Sequence, residues 1–383
     1  MFSSLDHSMM LRALQLAKRG RFTTAPNPNV GCVIAQGDRI VGQGYHYQAG
    51  QPHAEVFALR EAGELAQGAT AYVTLEPCSH YGRTPPCAEA LVKANVTRVV
   101  CAMVDPNPKV AGRGIAMLEA AGIEVQTGLL EADAKALNRG FIKRMQTGLP
   151  FVQLKLAASL DGRTALANGE SKWITSPHAR ADVQAYRAQA GAILSTSATV
   201  LADDPSLNVR WSELSADIQA DYPQDNLRQP TRIIIDSQSR VSPTCRLAQL
   251  PGQILLARQQ CDQLAWPESV SQILVPSPEL DITDTSNTAQ LDLKALMQQL
   301  VRDHDINHIW VEAGAGLAGA LIKAQLVDEL ILYQAPKLMG ADSRGLIDVL
   351  GLTSMTQVPE LTISDVRTVG PDIRITAEVS QQV

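Results

Sequence analysis

The sequence predicts an α/β protein of two domains, and three observations support this fold class. The chain has 383 residues, which exceeds the usual size of a domain built around a single hydrophobic core. Segments with a helical spacing of apolar residues alternate with short strand-like apolar runs along the whole chain. Residues 148–150, which include a glycine and a proline, interrupt the pattern where helical character gives way to strand character. We therefore expect one domain over residues 1–147 and a second over residues 148–383.

In the first domain, apolar residues at helical spacing predict a helix over residues 6–19. Two short apolar runs separated by a turn, at 31–35 and 39–44, predict a β-hairpin. The remaining elements alternate in type: helix 54–66, strand 71–75, a helix after Cys87, strand 98–104, helix 114–121 and strand 123–125. This order predicts a sandwich of helices and sheet, with His53 and Cys87 at helix starts. Backbone N–H groups at a helix start favour a thiolate or a bound hydroxide.

The second domain shows the same alternation with different content. Short apolar runs bounded by turn residues predict strands over 151–156, 192–194, 232–236, 254–257, 272–275, 308–311 and 329–333. Longer segments with helical spacing predict helices over 176–190, 291–302 and 317–324. Two polar stretches, 212–230 and 259–289, lack sustained periodicity. We expect these stretches to be loop insertions.

The composition is that of an ordinary soluble globular protein, with 45% hydrophobic and 19% charged residues. No uninterrupted apolar run approaches the roughly eighteen residues that cross a membrane. The first residues also lack the basic and apolar regions of a signal peptide. Six cysteines in a chain of this length indicate reduced thiols. We expect a cytoplasmic protein with no membrane partner.

Charge is divided unevenly between the two predicted domains. Residues 1–147 carry 15 Lys and Arg against 12 Asp and Glu, and the remainder carries 18 against 27. A surface that binds nucleic acid would need clustered basic residues and aromatic rings for stacking. Aromatic residues make up only 4% of the chain. The sequence therefore predicts no nucleic-acid partner.

Residues 53–55 (HAE), with Pro77-Cys78 and Cys87 downstream, have the residue types of a catalytic zinc site. One histidine and two cysteines leave a corner of the zinc tetrahedron open for water, whose pKa falls to about 7 on the metal. Glu55 would move the protons, and this H-x-E and P-C layout is the signature of zinc deaminases. Taken singly, each position has an ordinary alternative, a core cysteine or a solvated helix glutamate. The nine-residue step from Cys78 to Cys87 departs from the usual C-x-x-C and argues against a plain cytidine deaminase.

Residues 314–319 (GAGLAG) form a G-x-G-x-x-G run between a predicted strand and a predicted helix. In a Rossmann domain such a turn binds the pyrophosphate of a dinucleotide at the helix start. Here the run lies late in its domain, and no acidic residue ends a strand about 20 residues further on. Any glycine-rich turn that opens a helix still offers unpaired N–H groups to a phosphate. The alternative is that the glycines serve packing alone.

The sequence resembles the family of bifunctional riboflavin-biosynthesis deaminase/reductases over nearly its whole length, in a series of motifs that occur in the same order. The matching segments are 27–32 (NPNVGC), 44–46 (GYH), 53–55 (HAE), 76–87 (EPCSHYGRTPPC), 155–162 (KLAASLDG), 171–175 (SKWIT), 202–210 (ADDPSLNVR), 311–314 (VEAG) and 328–330 (DEL). Each match is modest alone, but their order is specific, and the long cysteine spacing belongs to this family. One departure is Ala313, which stands where many relatives have glycine.

The resemblance implies two consecutive reactions on a pyrimidine that carries a ribosylamino phosphate. The first is hydrolytic removal of the ring 2-amino group, and the second is reduction of the ribosyl chain to ribityl by NADPH. The resemblance also implies zinc and NADPH as cofactors and a homo-oligomer, a dimer or a tetramer. It implies a cytidine-deaminase-like three-layer domain followed by a dihydrofolate-reductase-like domain. The motifs by themselves indicate deamination and nucleotide binding, whereas hydride transfer is implied only by the resemblance.

For deamination, the resemblance implies that zinc is bound by His53, Cys78 and Cys87. Glu55 would be the proton shuttle. The substrate would lie against Asn27, His46 and Arg83. These three positions have alternatives, since Asn27 precedes a proline and suits a turn, His46 could be a loop histidine, and Arg83 could be a solvated charge.

For reduction, the resemblance implies that NADPH contacts Ala157, Trp173, Thr199, Asp203, Ser237, Gly314, Ala315, Gly316, Leu317, Ala318, Gly319 and Ala320. It implies that the substrate contacts Ser171, Arg187, Leu207, Arg210 and Glu312. Arginines suit the substrate phosphate because a guanidinium makes bidentate charge-assisted contacts. We expect Lys155 and Asp203 near the transferred hydride, since reduction of a carbonyl or imine needs a proton donor. The alternative is a buried Lys155–Asp203 pair that only ties two segments together.

Three functions remain compatible with the sequence. The first is the two-step enzyme. The second is an RNA-editing deaminase with an appended binding domain, against which the missing basic patch and the long cysteine spacing argue. The third is a zinc nucleobase deaminase whose C-terminal half binds nucleotide as a regulatory domain and lacks reductase activity.

Overall fold

The chain folds into two compact units, Met1–Gly148 and Leu149–Val383. The structure is a computed structural model, and it describes residues 1–81, 85–108, 110–278 and 290–380. The first unit ends with Gly148 in a left-handed conformation (φ 70°, ψ 13°), and its N–H bonds back to Arg144 O. This conformation favours glycine and commonly ends a helix. Within the described ranges, we find no helix that combines the length and the apolar character needed to cross a membrane.

The first unit is built on a five-stranded sheet of order β2-β1-β3-β4-β5. Its strands β1 to β5 are Gly31–Gln36, Arg39–Tyr45, Thr70–Val73, Arg98–Cys101 and Glu124–Thr127. Its helices α1 to α6 are Ser4–Arg19, Ala54–Ala62, Cys87–Lys93, Arg113–Ala120, Glu131–Leu137 and Arg139–Thr147. Strands β1 and β2 form the predicted antiparallel hairpin, whereas β3, β4 and β5 run parallel.

Both faces of this sheet are buried, because alternate residues of each strand point to opposite sides. Cys32 and Val73 pack on one side against α2, α3 and α4. Their neighbours Val33 and Tyr72 pack on the other side against α1, α5 and α6. The unit therefore has three layers, with the sheet between two layers of helices.

The predicted elements of the first unit are present with shorter bounds in several places. The predicted helix 54–66 ends as an α-helix at Ala62, because Gly63 turns to positive φ (53°), and a 3₁₀ turn, Gly63–Ala66, follows. The predicted strand 98–104 ends at Cys101. Helices α5 and α6 are not predicted by the sequence pattern. Each is short, and Asn138 between them leaves helical geometry (φ −126°), so neither shows a long apolar period.

The second unit contains a nine-stranded sheet of order β11-β10-β9-β8-β12-β6-β13-β16-β15. Its strands β6 to β16 are Phe151–Ser159, Arg163–Ala165, Ala192–Thr196, Thr231–Ile235, Ile254–Arg258, Val270–Leu274, His308–Glu312, Glu329–Ala335, Arg344–Gly345, Leu361–Val369 and Asp372–Val379. Its helices α7 to α11 are Pro177–Gln189, Ser197–Asp203, Ala216–Asp221, Leu293–His304 and Ala315–Lys323. Strands β7 and β14 form a separate pair.

The seven strands from β11 to β13 in the sheet run parallel, and β16 and β15 are added antiparallel at one end. Helices α10 and α11 cover one face, where Leu154 and Leu194 are buried. Helices α7 and α8 cover the other face, where Ile193 and Trp310 are buried. Because the strands are parallel, β6, β8, β9 and β12 end at a common edge. Ligands of open parallel sheets bind at this edge.

All seven predicted strands and all three predicted helices of the second unit are present, with bounds shifted by a few residues. In the predicted loop 212–230, the structure has the short helix α9 and 3₁₀ turns. Of the predicted loop 259–289, residues 279–289 lie outside the described residues. The hairpin of β15 and β16 is not predicted, because β15 is exposed along most of its length and lacks a buried alternation.

Candidate active sites

In the first unit, three side chains converge at the starts of α2 and α3. His53 is the N-cap residue of α2, Cys87 is the first residue of α3, and Cys78 lies in the loop after β3. His53 Nδ1 lies 3.5 Å from Cys78 Sγ and 3.4 Å from Cys87 Sγ. One ligand atom from each residue lies within 4.8 Å of the other two. The structure thus brings together the three residues predicted to bind zinc.

The electrostatics of this cluster favour a thiolate at Cys78, whereas the hydrogen bond to Cys78 and burial raise the pKa of Cys87. Hydrogen bonds from Cys87 and from the His53 ring lower the pKa of Cys78. The hydrogen bond to Cys78 in turn raises the pKa of His53. A metal that binds the His53 Nδ1 lone pair replaces the proton held there, so binding releases a proton. One imidazole and two thiols are donors that catalytic zinc sites use, and they leave a fourth position open.

Glu55 lies in the first turn of α2 beside the cluster and is only 3% exposed. Among the described residues, its Oε2 has no hydrogen-bond partner. Burial raises the pKa of Glu55. A buried carboxylate oxygen without a partner is costly. Glu55 lies beside three residues of the types that bind zinc. Its Oε2 is therefore placed to form a hydrogen bond with a polar ligand of a metal bound there.

Two of the three predicted substrate residues lie next to the cluster. The rings of His46 and His53 meet edge to face, with centroids 5.6 Å apart. His46 Nδ1 lies 3.1 Å from Pro52 O, and His46 Nε2 lies 3.1 Å from Asn27 Nδ2. Because a carbonyl only accepts, Nδ1 carries the proton and Nε2 accepts from Asn27. Burial lowers the pKa of His46 and favours this neutral ring. Arg83 lies outside the described residues.

Glu76, which is not among the predicted site residues, fixes the backbone around Cys78. Its Oε2 accepts from the N–H groups of Asp105 and Gly112, both at 3.0 Å, and its Oε1 accepts from Gly114 N at 2.9 Å. Gly114 is needed there, since a Cβ would lie 2.0 Å from Pro77 O. The signal that could have revealed this role is a glutamate directly before the Pro-Cys pair. A buried carboxylate is rarely left without such partners.

Cys87→Ser is expected to lower zinc affinity and the thermal stability of the first unit. A hydroxyl is a poor replacement for a thiolate on zinc, and metal binding contributes folding free energy. Cys32→Ser is a matched control, because Cys32 is also fully buried in this unit and lies outside the cluster. Metal content per chain and the thermal midpoint are measured together. Stoichiometric zinc in Cys87→Ser would make Cys87 a core residue.

In the second unit, a charged cluster lies at the edge where the parallel strands end. Lys155 on β6 and Glu312 on β12 are register neighbours. Arg187 on α7 forms a bidentate pair with Glu312, with Nε–Oε1 at 2.6 Å and Nη2–Oε2 at 2.9 Å. Trp310 Nε1 donates to Glu312 Oε1 at 2.9 Å, and Arg187 Nη1 donates to Asn208 O at 2.9 Å. One edge of the Arg187 fork, which we expected to meet phosphate, is thus engaged by Glu312.

The charges of this cluster act on one another at short range. Burial raises the pKa of Glu312, but Arg187 and Lys155 outweigh it and bring that pKa to about 2. Burial lowers the pKa of Lys155, and the nearby Glu312 carboxylate partly offsets this effect. Glu312 is therefore ionised, and Lys155 gives up its proton more readily than an exposed lysine.

Asp203 ends α8 and forms an exposed ion pair with Lys172, with Nζ–Oδ1 at 2.8 Å. The alternative in which Asp203 pairs with Lys155 is wrong, because the Asp203 carboxylate pairs with Lys172 and, among the described residues, forms no ion pair with Lys155. Lys155 on β6 lies next to Glu312 on β12 in the sheet. Asp203 lies at the end of α8, the helix that follows β8. The ion pair to Lys172 brings the segment that carries Ser171 and Trp173 to α8.

The other predicted residues lie on β6 or in segments that follow β8 and β9. Ala157 is on β6, two residues from Lys155 and on the same face. Thr199 is in the first turn of α8, where its N–H donates to Thr196 Oγ1. Ser237 is the second residue after the end of β9, following Asp236. Leu207 is buried with a left-handed backbone (φ 45°), which is uncommon outside glycine.

Two of the predicted residues are exposed and already have partners. Arg210 pairs with Glu213 through Nε–Oε1 at 2.5 Å and Nη2–Oε2 at 2.9 Å. Such an exposed pair is worth little, so a phosphate can compete for the arginine. Trp173 is 64% exposed and lies under the Arg180 guanidinium, 4.5 Å from the ring centroid.

The glycines of the 314–319 turn have different roles. Gly314 is the N-cap of α11 and provides no side-chain cap, so the first N–H groups of the helix are open to a ligand. Cβ atoms at Gly314 and Gly316 would meet nothing closer than 4.0 Å, whereas one at Gly319 would lie 2.0 Å from Asp348 O. Gly319 therefore serves packing, and the start of the turn fits a phosphate. The side chain of Asp348 borders this turn near Gly316.

Gly319→Ala is expected to destabilise the second unit by about 1–3 kcal/mol or more, because its methyl group would overlap the backbone of Asp348. Gly316→Ala is the matched control in the same helix. It has room for a methyl group and gains helix propensity, so its thermal midpoint should stay equal or rise. Thermal unfolding of both variants is the measurement. Equal stability of Gly319→Ala and the unmodified protein would contradict the close packing.

Comparison with known families agrees with both units. Residues 3–103 match the family described as the cytidine and deoxycytidylate deaminase zinc-binding region, and residues 150–375 match the RibD C-terminal domain. With the cluster of His53, Cys78 and Cys87, the first match defines a zinc-binding deaminase unit joined to a second α/β unit in one chain. The predicted α/β fold class is confirmed, with a cytidine-deaminase-like first domain and a second domain that matches the RibD C-terminal domain.

The chain belongs to the RibD family of riboflavin biosynthesis proteins. It is 60% identical to riboflavin biosynthesis protein RibD of Escherichia coli, over 96% of this chain and 98% of the relative. Among solved structures, it is similar to RibD of Acinetobacter baumannii, with 45% identity and a TM-score of 0.88 over 98% and 99% of the two chains. It is also similar to a Thermotoga maritima diaminohydroxyphosphoribosylaminopyrimidine deaminase/5-amino-6-(5-phosphoribosylamino)uracil reductase, with 29% identity and a TM-score of 0.83 over 98% and 99%.

Proposed function

We propose that this chain is a bifunctional deaminase/reductase of riboflavin biosynthesis. Its substrate is 2,5-diamino-6-(ribosylamino)-4(3H)-pyrimidinone 5′-phosphate. Residues 1–147 remove the ring 2-amino group by hydrolysis, and residues 148–383 reduce the ribosyl chain to ribityl with NADPH. The observation that carries this function is the zinc-type cluster of His53, Cys78 and Cys87 in the same chain as a RibD C-terminal domain.

In deamination, His53, Cys78 and Cys87 hold zinc, which when bound supplies a Lewis acid that activates water near neutral pH. Glu55 moves the protons: as the water oxygen bonds to ring carbon 2, Oε2 takes one water proton and gives it to the adjacent ring nitrogen. It then carries the second water proton to the amino group, whose bond to carbon 2 breaks to release ammonia. The burial-raised pKa of Glu55 suits a group that holds a proton between two steps. Substrate contacts are Asn27, His46 and Arg83.

In reduction, bound NADPH supplies the hydride. Lys155 donates the proton that the reduced substrate needs, and its lowered pKa makes it a better acid than an exposed lysine. Glu312, which Arg187 holds in place, puts a carboxylate beside Lys155 and partly offsets the effect of burial on the lysine pKa. Substrate contacts are Ser171, Arg187, Leu207, Arg210 and Glu312.

The cofactor lies along the edge where β6, β8, β9 and β12 end. Its pyrophosphate is bound by the uncapped start of α11. Further contacts come from Ala157, Trp173, Thr199, Asp203, Ser237 and the turn residues Gly314, Ala315, Gly316, Leu317, Ala318, Gly319 and Ala320. Of the turn residues, Gly319 supports the turn through its packing on Asp348.

The protein works in the cytoplasm as a homo-oligomer, a dimer or a tetramer. The edge strand β15 supports an oligomer, because its Leu361, Ile363 and Val366 are 46%, 60% and 59% exposed. Proteins usually cover or blunt a long apolar sheet edge. Sedimentation equilibrium of the purified chain measures the state, and a monomer at all concentrations would contradict it.

The alternative of a deaminase with a regulatory C-terminal domain is not favoured. The second unit matches the RibD C-terminal domain, and the relatives match over nearly the whole chain. The deciding experiment incubates the protein with the diaminopyrimidine substrate, with and without NADPH, and identifies products by mass. Without NADPH, one nitrogen should be exchanged for oxygen, and with NADPH two hydrogens should be added. Deamination that NADPH never extends would favour the regulatory alternative.

A further inference from the structure

Three neighbouring parallel strands, β12, β8 and β9, end at the edge that carries the proposed cofactor site. The glycine turn follows β12. Two strand spacings away, about 10 Å along the edge, β9 leads into the turn 236–240 (DSQSR). The charged cluster around Lys155 lies on the opposite side of β12, on β6. A dinucleotide with its pyrophosphate at the glycine turn and its nicotinamide near Lys155 therefore directs its adenosine half toward β8 and β9.

Arg240 supplies an uncompensated positive charge in this turn. Its guanidinium donates to Ser197 Oγ at 3.0 Å, and among the described residues it forms no ion pair. The nearest carboxylate in the turn, Asp236, is committed to the buried Arg258, whose Nη2 lies 2.7 Å from Asp236 Oδ2. Within the described part of the chain, the hydroxyl of Ser237 has no hydrogen-bond partner. The turn thus presents the Arg240 cation and the Ser237 hydroxyl, beside the buried hydroxyl of Ser197 at the start of α8.

The shape of this turn does not depend on the Arg240 side chain. Asp236 accepts from the backbone N–H groups of Arg240 at 2.9 Å and Val241 at 3.2 Å. The Asp236 carboxylate also forms an ion pair with Arg258, and the side chains of Asp236 and Arg258 are fully buried. Backbone bonds and a buried ion pair therefore define the turn. Removal of the exposed guanidinium should leave the turn in place.

We propose that Arg240, with the hydroxyls of Ser197 and Ser237, binds the adenosine 2′-phosphate of NADPH and sets the preference for NADPH over NADH. A guanidinium and hydroxyls are groups that bind a phosphate dianion well, and an arginine near the ribose commonly accommodates this phosphate. NADH has a neutral hydroxyl at this position and gains nothing from the charge. The proposal rests on the proposed function, since it requires that the second unit bind NADPH.

The test measures dissociation constants for NADPH, NADH and adenosine 2′,5′-bisphosphate by calorimetry, with the full-length protein. Arg240→Ala should weaken NADPH and the bisphosphate by about 10- to 100-fold and change NADH by less than about twofold. Arg240→Lys should retain part of the NADPH affinity, because it keeps the charge and loses the fork. Lys294→Ala on α10 is the matched control, since it removes one exposed positive charge elsewhere in the unit.

The outcomes separate this proposal from the proposed function. If Arg240→Ala weakens NADPH and NADH equally, Arg240 only fastens its turn to α8, and the proposal is overturned. Unchanged NADPH affinity in Arg240→Ala overturns it as well and leaves the reductase intact. If the unmodified protein binds neither nucleotide, the reductase function and this proposal fall together. A selective loss of NADPH and bisphosphate affinity is the supporting result.

Discussion

Glu55→Gln should retain zinc, while its deamination rate falls by about 10²- to 10⁴-fold, the usual contribution of a general acid–base group. The three ligands, His53, Cys78 and Cys87, are unchanged in this variant, so the donor set persists. Glutamine fills the same space as glutamate but cannot accept and return a proton. The buried Oε2 of Glu55, which has no hydrogen-bond partner among the described residues, is the atom that we expect to carry the proton.

Zinc content and turnover should be measured on the same samples of Glu55→Gln. Glu64→Gln is a matched control, because Glu64 is exposed in the 3₁₀ turn that follows α2 and lies outside the cluster. The control should deaminate normally. Near-normal deamination by Glu55→Gln would remove Glu55 from the mechanism, and loss of zinc would make it a part of the metal site.

Lys155→Met is expected to lower NADPH-dependent reduction by about 10²- to 10⁴-fold, while deamination continues at its normal rate. Methionine fills the space of the lysine stem without a proton to donate. Each unit has its own buried core, so a change at one site should leave the other unit folded. NADPH affinity should change little, because a proton donor acts mainly on turnover.

The pH profile distinguishes a proton donor from a structural lysine. Burial lowers the pKa of Lys155, so its protonated form is lost as pH rises through a value below the ordinary lysine range. The reduction rate of the unmodified protein should therefore fall as pH rises through this pKa. This alkaline decrease in rate should be absent in Lys155→Met. Asp203→Asn should instead weaken NADPH binding, since Asp203 is an exposed residue paired with Lys172. Normal reduction by Lys155→Met would place the proton donor elsewhere.

The zinc cluster could be predicted from the sequence because its chemistry is local. Residues 53–55 open a helix, and Cys87 opens another, so both ligands are placed by short-range helix geometry. The parallel core strands could be predicted because both faces are buried, which gives short runs of apolar residues. The edge where these strands end follows from their parallel direction.

The features that could not be predicted depend on contacts between distant parts of the chain. Arg187 and Glu312 are 125 residues apart, and no local pattern indicates that they form a bidentate pair. Asp203 is paired with Lys172 because the 171–173 segment folds back onto α8, which the sequence does not reveal. Glu76 accepts from backbone groups some 30 to 40 residues away. An exposed edge strand such as β15 carries no buried alternation to read.

The central claim is that one chain contains two separable active sites that act in sequence. The most direct measurement incubates Glu55→Gln, Lys155→Met and an equal mixture of both with the diaminopyrimidine substrate and NADPH, and identifies products by mass. Glu55→Gln alone should leave the substrate nearly unchanged, and Lys155→Met alone should accumulate the deaminated, unreduced product. The mixture should form the deaminated and reduced product. Failure of Lys155→Met to deaminate, with both units folded, would contradict two separable sites.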